Sequence, residues 1–263
     1  MILEALNYAA SWPLTSAPHR PAVRYSVNLW SRARRCASAW RTHEENSRAA
    51  ILETSGRLKQ RRTAVVLGSG LLRDVPIEAL CKMFDTVVLV DLVHLASVRG
   101  WLSLKRLRNV RLIERDLAGV DDLLAGRPCE PLSFLRQVPY LDLVVSANLL
   151  SQIGMGAARR IETEGQNRQR LLPQVISAHL DGLAGLPCAS LLLTDVSYRV
   201  IDRDGLVHEE FDLLRGVPVP FGKAEWSWPV SPFGEESADY QIVHRVIACD
   251  DHAALLSTRS AVV

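Results

Sequence analysis

Residues able to do chemistry gather first in Val65-Val66-Leu67-Gly68-Ser69-Gly70-Leu71-Leu72-Arg73-Asp74, where an apolar run enters glycines and then a helical pattern, Val75 to Met83. Glycines at such a turn let backbone approach a ligand, and a following helix aims N–H groups at it. A dinucleotide fingerprint wants a third glycine where Arg73 stands, and no GK[ST] follows, so a phosphate-binding P-loop is absent. Asp91 closes the next apolar run, 23 residues after Gly68 (91 − 68). A carboxylate there can accept two hydrogen bonds from a ribose diol. Asp116, followed by Leu117, ends the third run. An acid in that place can accept from an adenine amino group while the apolar neighbour packs the ring. Each acid alone also reads as a helix cap or a loop carboxylate. Their recurrence on successive strand ends is the more specific signal.

The elements that must carry these residues follow a βα rhythm. Thr63–Leu67, Thr86–Val90, Val110–Ile113, Leu141–Ser146 and Ser190–Thr194 are apolar, β-branched runs separated by helix-length segments. Strands apolar on both faces imply a parallel sheet covered by helices. Tyr198 to Phe211 reads as a hairpin turning at Asp204-Gly205. Ala224–Val230 and Tyr240–Cys249 are joined by too short a segment for a crossover, which makes the last strand antiparallel. The expected fold is a doubly wound α/β sheet of seven strands, mostly parallel, with helices on both faces. Residues 1–62 are read as an N-terminal helical cap and 63–263 as the Rossmann-like domain. Trp30, Ala33, Ala37 and Trp40 fall on one face of a helix in that cap. This face is either packing with a solvated arginine rim or a lid over the sheet.

Composition narrows the function classes. The chain has 263 residues with 31 Lys+Arg against 29 Asp+Glu, so it has no cation excess with which to live on nucleic-acid phosphates. Five scattered cysteines without a CxxC pair indicate neither a disulfide framework nor a zinc site, and no metal is expected. Met1 to Leu14 lacks a basic leader region, and no apolar run approaches the ~20 residues of a membrane span. A soluble, cytoplasmic protein with no membrane partner is expected.

The segments Val66-Leu67-Gly68-Ser69-Gly70, Val88-Leu89-Val90-Asp91, Glu114-Arg115-Asp116-Leu117 and Asp142 to Leu150 resemble the successive motifs of class I S-adenosylmethionine-dependent methyltransferases. The resemblance spans roughly residues 60 to 250 and includes the closing antiparallel hairpin. It implies that Gly68, Ser69 and Gly70 border the methionine part of S-adenosyl-L-methionine. Asp91, with Leu92 beside it, would hold the ribose, and Asp116 with Leu117 the adenine. Ser146 and Asn148 would line the junction with a small-molecule acceptor. Two positions depart from the pattern: the family's acid before the first glycine is Val66 here, and its third motif glycine is Leu72. Both bear on the methionine amino group. Local pairing of Arg73 with Asp74 is one way to compensate.

Methyl transfer to a proton-bearing nucleophile wants a base at a strand end. Asp195 with Tyr198 is the first candidate and His208 the second; a turn acid and a surface histidine are their plainer readings. His94 and His179 lie in helical patterns, and His179 is grouped with Leu172, Val175, Ile176, Leu180 and Leu183 as a packed position. Trp226 and Trp228 alternate along one strand and share a face. They form either core or an aromatic wall for a planar or cationic ligand. Two other readings stay open: an NAD(P)-dependent oxidoreductase, and a methyltransferase-like scaffold or sensor without turnover. Nucleic-acid methylation is disfavoured because Asn148 precedes Leu149-Leu150 rather than a Pro-Pro-aromatic sequence. A homodimer is left open.

Overall fold

The computed structural model describes residues 2–220 and 222–250. The expected domain end, residues 251–263, lies outside the described residues. Three helices open the chain: α1 (Ile2–Ser11), α2 (Val23–Arg35) and α3 (Ala37–Gly56). The helical face expected from Trp30 to Trp40 is split between α2 and α3, because Cys36 leaves helical geometry at φ −89° and ψ 11°. The face survives the break in part, since Ala33, Cys36 and Trp40 remain one buried cluster.

The sheet begins with β1 (Thr63–Leu67), buried at every position. Then follow α4 (Ile77–Met83), β2 (Thr86–Asp91), α5 (Ala96–Leu104), β3 (Val110–Glu114), α6 (Val120–Leu124) and β4 (Leu141–Ala147). After α7 (Leu150–Thr163) and α8 (Arg168–Ala184) come β5 (Ala189–Asp202), β6 (Val207–Asp212), β7 (Ala224–Ser231) and β8 (Tyr240–Cys249). The strand order is β3-β2-β1-β4-β5-β8-β7. β1 to β5 are parallel, and β8 runs antiparallel to both β5 and β7.

The sheet has eight strands rather than the expected seven. β5 runs on for 14 residues, and its outer half pairs with β6. The turn between them holds Gly205 at φ 84°, as the Asp-Gly signal implies. The sheet's parallel β1 to β5, covered by helices, and its reversed β8 form the doubly wound, mostly parallel sheet that the sequence predicts.

Helices cover both faces because both faces are apolar. On one side Val65, Leu67 and Val144 pack with Ile153, Ile161, Leu172 and Ile176 of α7 and α8. On the other, Val66, Leu89 and Val145 pack with Val23 and Val27 of α2, Ile51 of α3 and Leu80 of α4. Burying each such side chain stabilises by about 1.5–3 kcal/mol. α2 and α3 therefore contribute to one face of the sheet itself. Among the described residues, no helix is long and apolar enough to cross a membrane.

Two helix starts differ from the sequence reading. α4 begins at Ile77, not Val75, because Pro76 sits outside helical geometry (φ −80°, ψ 59°). α6 begins at Val120, where the sequence pattern of Leu117 to Leu124 suggests a helix capped directly by Asp116: Gly119 takes φ 66°, and Asp116 Oδ1 accepts the Ala118 N–H at 2.8 Å. The stretches after Gly70 and Asp116 are thus turns of backbone.

Candidate active site

The turn after β1 is shaped by packing and by one carboxylate. Gly68 has φ 71°, and a β-carbon there would lie 2.8 Å from Leu149 Cβ and 3.0 Å from the Ala147 carbonyl oxygen. Only glycine fits. Its N–H donates to the Val90 carbonyl at 2.9 Å, which draws the turn toward the end of β2. There Asp91 accepts the Gly70 N–H on Oδ2 and the Leu92 N–H on Oδ1, both at 2.7 Å. A carboxylate offers about four acceptor positions. Gly70 and Leu92 occupy two, the Val93 N–H adds a further contact, and what remains is open to the hydroxyls of a diol. Burial pushes the Asp91 carboxyl up, while the backbone N–H donors and nearby His94 oppose this.

Asp91 and Leu92 open onto a cleft of about 330 Å³, also lined by Asp116, Leu117, Leu149, Ile153 and Ala157. Its floor is aliphatic and its rim carries Asp116 and Arg115. The expected nucleoside residues therefore come together around one cavity. Ser69 lies beneath the turn, buried, with an unpartnered hydroxyl. Ser146 does not reach the cleft. It is fully buried in the sheet, and its Oγ lies 3.0 Å from His179 Nε2 in α8. His179 is the packed histidine its neighbours indicated, and burial alone lowers its pKa to about 4. His94 precedes α5 rather than lying inside a helix, with Nε2 3.1 Å from the Ile113 carbonyl.

A second cluster forms where β4 ends against β5. Asn148 takes φ 49°, and its N–H donates to the Leu193 carbonyl at 2.9 Å. Two residues further along β5, Asp195 is buried, and its Oδ2 lies 2.6 Å from His244 Nδ1. The irregularity at Val196 explains this contact. Asp195 pairs with Val246 and Ser197 with Arg245, so one extra residue bulges out of β5. The bulge puts Asp195 and Tyr198 on one face with His244 of β8. Tyr198, His244 and Trp228 then form a single rung across β5, β8 and β7.

In that rung His244 is flanked by Tyr198 at 5.7 Å and Trp228 at 5.9 Å between ring centroids. Trp228 stacks flat on His43 of α3 at 3.9 Å, and Trp40 meets its edge at 5.2 Å. Burial lowers the His43 pKa to about 4, and Trp226 Nε1–H donates to its Nδ1 at 3.0 Å. The Asp195 carboxylate holds the His244 proton on Nδ1, which leaves Nε2 as the proton acceptor.

The structure brings Asp195 and Tyr198 onto one face, but the Tyr198 hydroxyl turns away and donates to Glu209 at 2.9 Å. It does not bring His208 to the cluster. His208 is exposed and lies 2.6 Å from Asp202 at the far end of the β5–β6 hairpin. His43 and His244 escaped the sequence reading. The only signal for His244 is register, since it sits opposite Tyr198 and Trp228 once the strands are aligned.

Asn148 joins the two clusters. One end of its side-chain amide lies 2.7 Å from Asp74 Oδ2 and 3.3 Å from His43 Nε2, and the other end has no partner among the described residues. Arg73 pairs with Glu44 of α3 at 2.5 Å, and Arg48 donates to the Arg73 carbonyl. Arg73 and Asp74 thus tie the glycine turn to α3 and β4 instead of pairing with each other.

No family model matches the sequence, and no curated protein matches it. Among solved structures, the chain aligns with N-methyltransferase NodS from Bradyrhizobium japonicum WM9, in complex with S-adenosyl-L-homocysteine. The TM-score is 0.40 and the identity 12%, over 79% of this chain and 86% of that one. An O-methyltransferase family protein from Burkholderia thailandensis aligns with a TM-score of 0.39 and 13% identity, over 88% of this chain and 61% of that one. The YcgJ protein from Bacillus subtilis aligns with a TM-score of 0.34 and 11% identity over 57% of this chain, which spans 51% of that protein. Likeness at this level transfers no residue role to this chain.

Proposed function

We propose that this chain transfers a methyl group from S-adenosyl-L-methionine to a proton-bearing oxygen or nitrogen of a small-molecule acceptor. The observation that carries the reading is Asp91. Its carboxylate is steadied by backbone N–H groups, keeps acceptor capacity, and stands at the mouth of an aliphatic cleft of about 330 Å³. That volume lies within the range of small-molecule sites. Leu117, Leu149 and Ile153 suit a flat, apolar base, and Asp91 suits a ribose diol. Asp116 has a carboxylate at the rim for the adenine amino group.

When bound, the cofactor supplies an electrophilic methyl group on sulfonium, displaced in line by the acceptor. This chain's residues do the rest. Proximity and orientation come from the glycine turn and Asn148, which the structure links through Asp74. His244 takes the acceptor's proton on Nε2, and Asp195 stabilises the imidazolium. Trp228 and Tyr198 flank His244 and exclude water. With α3 closing over this cluster, the His244 side chain is only 14% exposed, which favours a small acceptor over a macromolecular one.

Calorimetric titration with S-adenosylmethionine, S-adenosylhomocysteine and NADH tests the reading. Binding of the first two without NADH is expected. Binding of NADH alone, or of none, would overturn it. Binding without methyl transfer to any component of a metabolite extract would leave a sensor in place of an enzyme.

A further inference from the structure

Hydrogen-bond polarity around Asn148 locates a proton. Trp226 Nε1–H is a donor only, and it lies 3.0 Å from His43 Nδ1. Nδ1 must therefore accept, and the single proton of the neutral ring sits on Nε2. That N–H faces the Asn148 amide at 3.3 Å. Which end of an amide is oxygen is set by its partners. An NH2 in this place would oppose donor to donor, whereas a carbonyl oxygen accepts. The same amide atom lies 2.7 Å from Asp74 Oδ2. A carbonyl oxygen cannot sit so close to an ionised carboxylate oxygen unless a proton lies between them.

We infer that Asp74 is a neutral carboxylic acid in the folded protein, donating its O–H to Asn148 and so acting as the positioning residue that holds Asn148 against the glycine turn. The donors then run Trp226 to His43 to Asn148, with Asp74 meeting Asn148 from the other side. Ionised Asp74 satisfies no such arrangement. With the His43 proton on Nε2 it leaves a donor–donor contact at Asn148, and with the proton on Nδ1 it leaves one at Trp226. The far end of the amide has no partner in either orientation, so it does not decide between them.

The surroundings agree. Burial pushes the Asp74 carboxyl up and outweighs the opposing pull of the Asn148 contact and of its own backbone N–H; Glu44 adds to the rise and Arg48 opposes it. The other groups of the same cluster are Arg73, already paired with Glu44, and His43, which burial holds neutral. The inference is independent of which ligand the cleft takes.

The test is an infrared difference spectrum of the full chain, wild type minus Asp74→Asn, near neutral pH in H2O and in D2O. A protonated-carboxyl C=O band that shifts in D2O is expected; carboxylate bands alone would overturn the inference. Trp226→Phe removes the donor that sets the His43 proton and leaves the Asp74–Asn148 contact itself untouched. It frees His43 to accept at Nε2, lets Asn148 turn its NH2 toward Asp74, and should abolish the same C=O band. A band that persists in Trp226→Phe would overturn the hydrogen-bond polarity as the cause of the proton, and this comparison also serves if Asp74→Asn fails to fold. Linkage gives a further readout. A carboxyl whose folded pKa is raised makes stability fall as pH rises from the unfolded value, ~3.9, through the folded one. The melting temperature of Asp74→Asn should therefore gain on wild type with rising pH, and a constant or shrinking gap would count against the neutral acid.

Discussion

At the ends of β1 and β2, the residues that shape the turn beside the cleft belong to the strand ends themselves. Gly68 and Gly70 follow β1 directly, Asp91 is the last residue of β2, and the bonds that fix them are local backbone N–H contacts. Where β5 meets β8 the construction is the opposite. His43, Asn148, Asp195, Trp228 and His244 arrive from α3, the end of β4, β5, β7 and β8, and none positions its neighbour in sequence. The first region is a set of turns that any doubly wound sheet can carry at its switch point. The second depends on one bulge, one strand register and a helix from the N-terminal segment. The proposed cofactor end is thus fixed by local geometry, and the proposed acceptor end by tertiary assembly. The two ends should fail independently.

The largest effect expected is on turnover at the acceptor end. His244→Asn or Asp195→Asn should lower turnover of S-adenosylmethionine by about 10²–10⁴-fold, the usual worth of a general base. Affinity for S-adenosylhomocysteine should stay within twofold; a parallel loss of binding would merge the two ends. At the cofactor end, Gly68→Ala forces a β-carbon to 2.8 Å from Leu149 Cβ at a positive φ. A destabilisation of about 2–4 kcal/mol follows, read as a fall of about 5–10 °C in melting temperature.

A smaller effect sharpens the role given to buried histidines. His43 and His179 are both held near pKa 4 by burial, against an ordinary 6.5. A lowered folded pKa means that the unfolded chain binds more protons as pH falls below about 6.5, so folded stability drops between there and about 4. His179→Gln removes one such group. The stability advantage of wild type over this variant in urea titrations should shrink by about 1.4 kcal/mol per pH unit across that window. The smallest effect belongs to His208. It is exposed on the hairpin, and His208→Ala should leave turnover unchanged and stability within about 0.5 kcal/mol.

The same contrast explains what could be read from the chain alone. Gly68, Gly70, Asp91, Asp116 and Leu117 were legible because strand ends and turn residues are local signals, and the crossover rhythm orders them on one edge. Ser146 was not, since a strand buried on both faces gives no clue that its hydroxyl faces His179 in α8 rather than the cleft. The hairpin that supplies the eighth strand was legible from Asp204-Gly205; that its first arm is β5 itself, running on to Asp202, is not announced by an apolar run ending at Thr194. His244 depends on the register between β5 and β8 and on the bulge at Val196, and neither is written in local periodicity. Tyr198 shares a face with Asp195 only through that bulge, and its hydroxyl follows Glu209, a partner across the hairpin.

The central claim is that Asp91 holds a nucleoside diol while the Asp195–His244 pair serves a separate step. The most direct measurement is calorimetric titration of S-adenosylhomocysteine into wild type, Asp91→Ala and His244→Asn. Two hydrogen bonds to a charged group are worth about 3 kcal/mol or more together, so Asp91→Ala should bind at least about 100-fold more weakly. His244→Asn should match wild type. Equal affinity in wild type and Asp91→Ala, or no binding in wild type, would contradict the account.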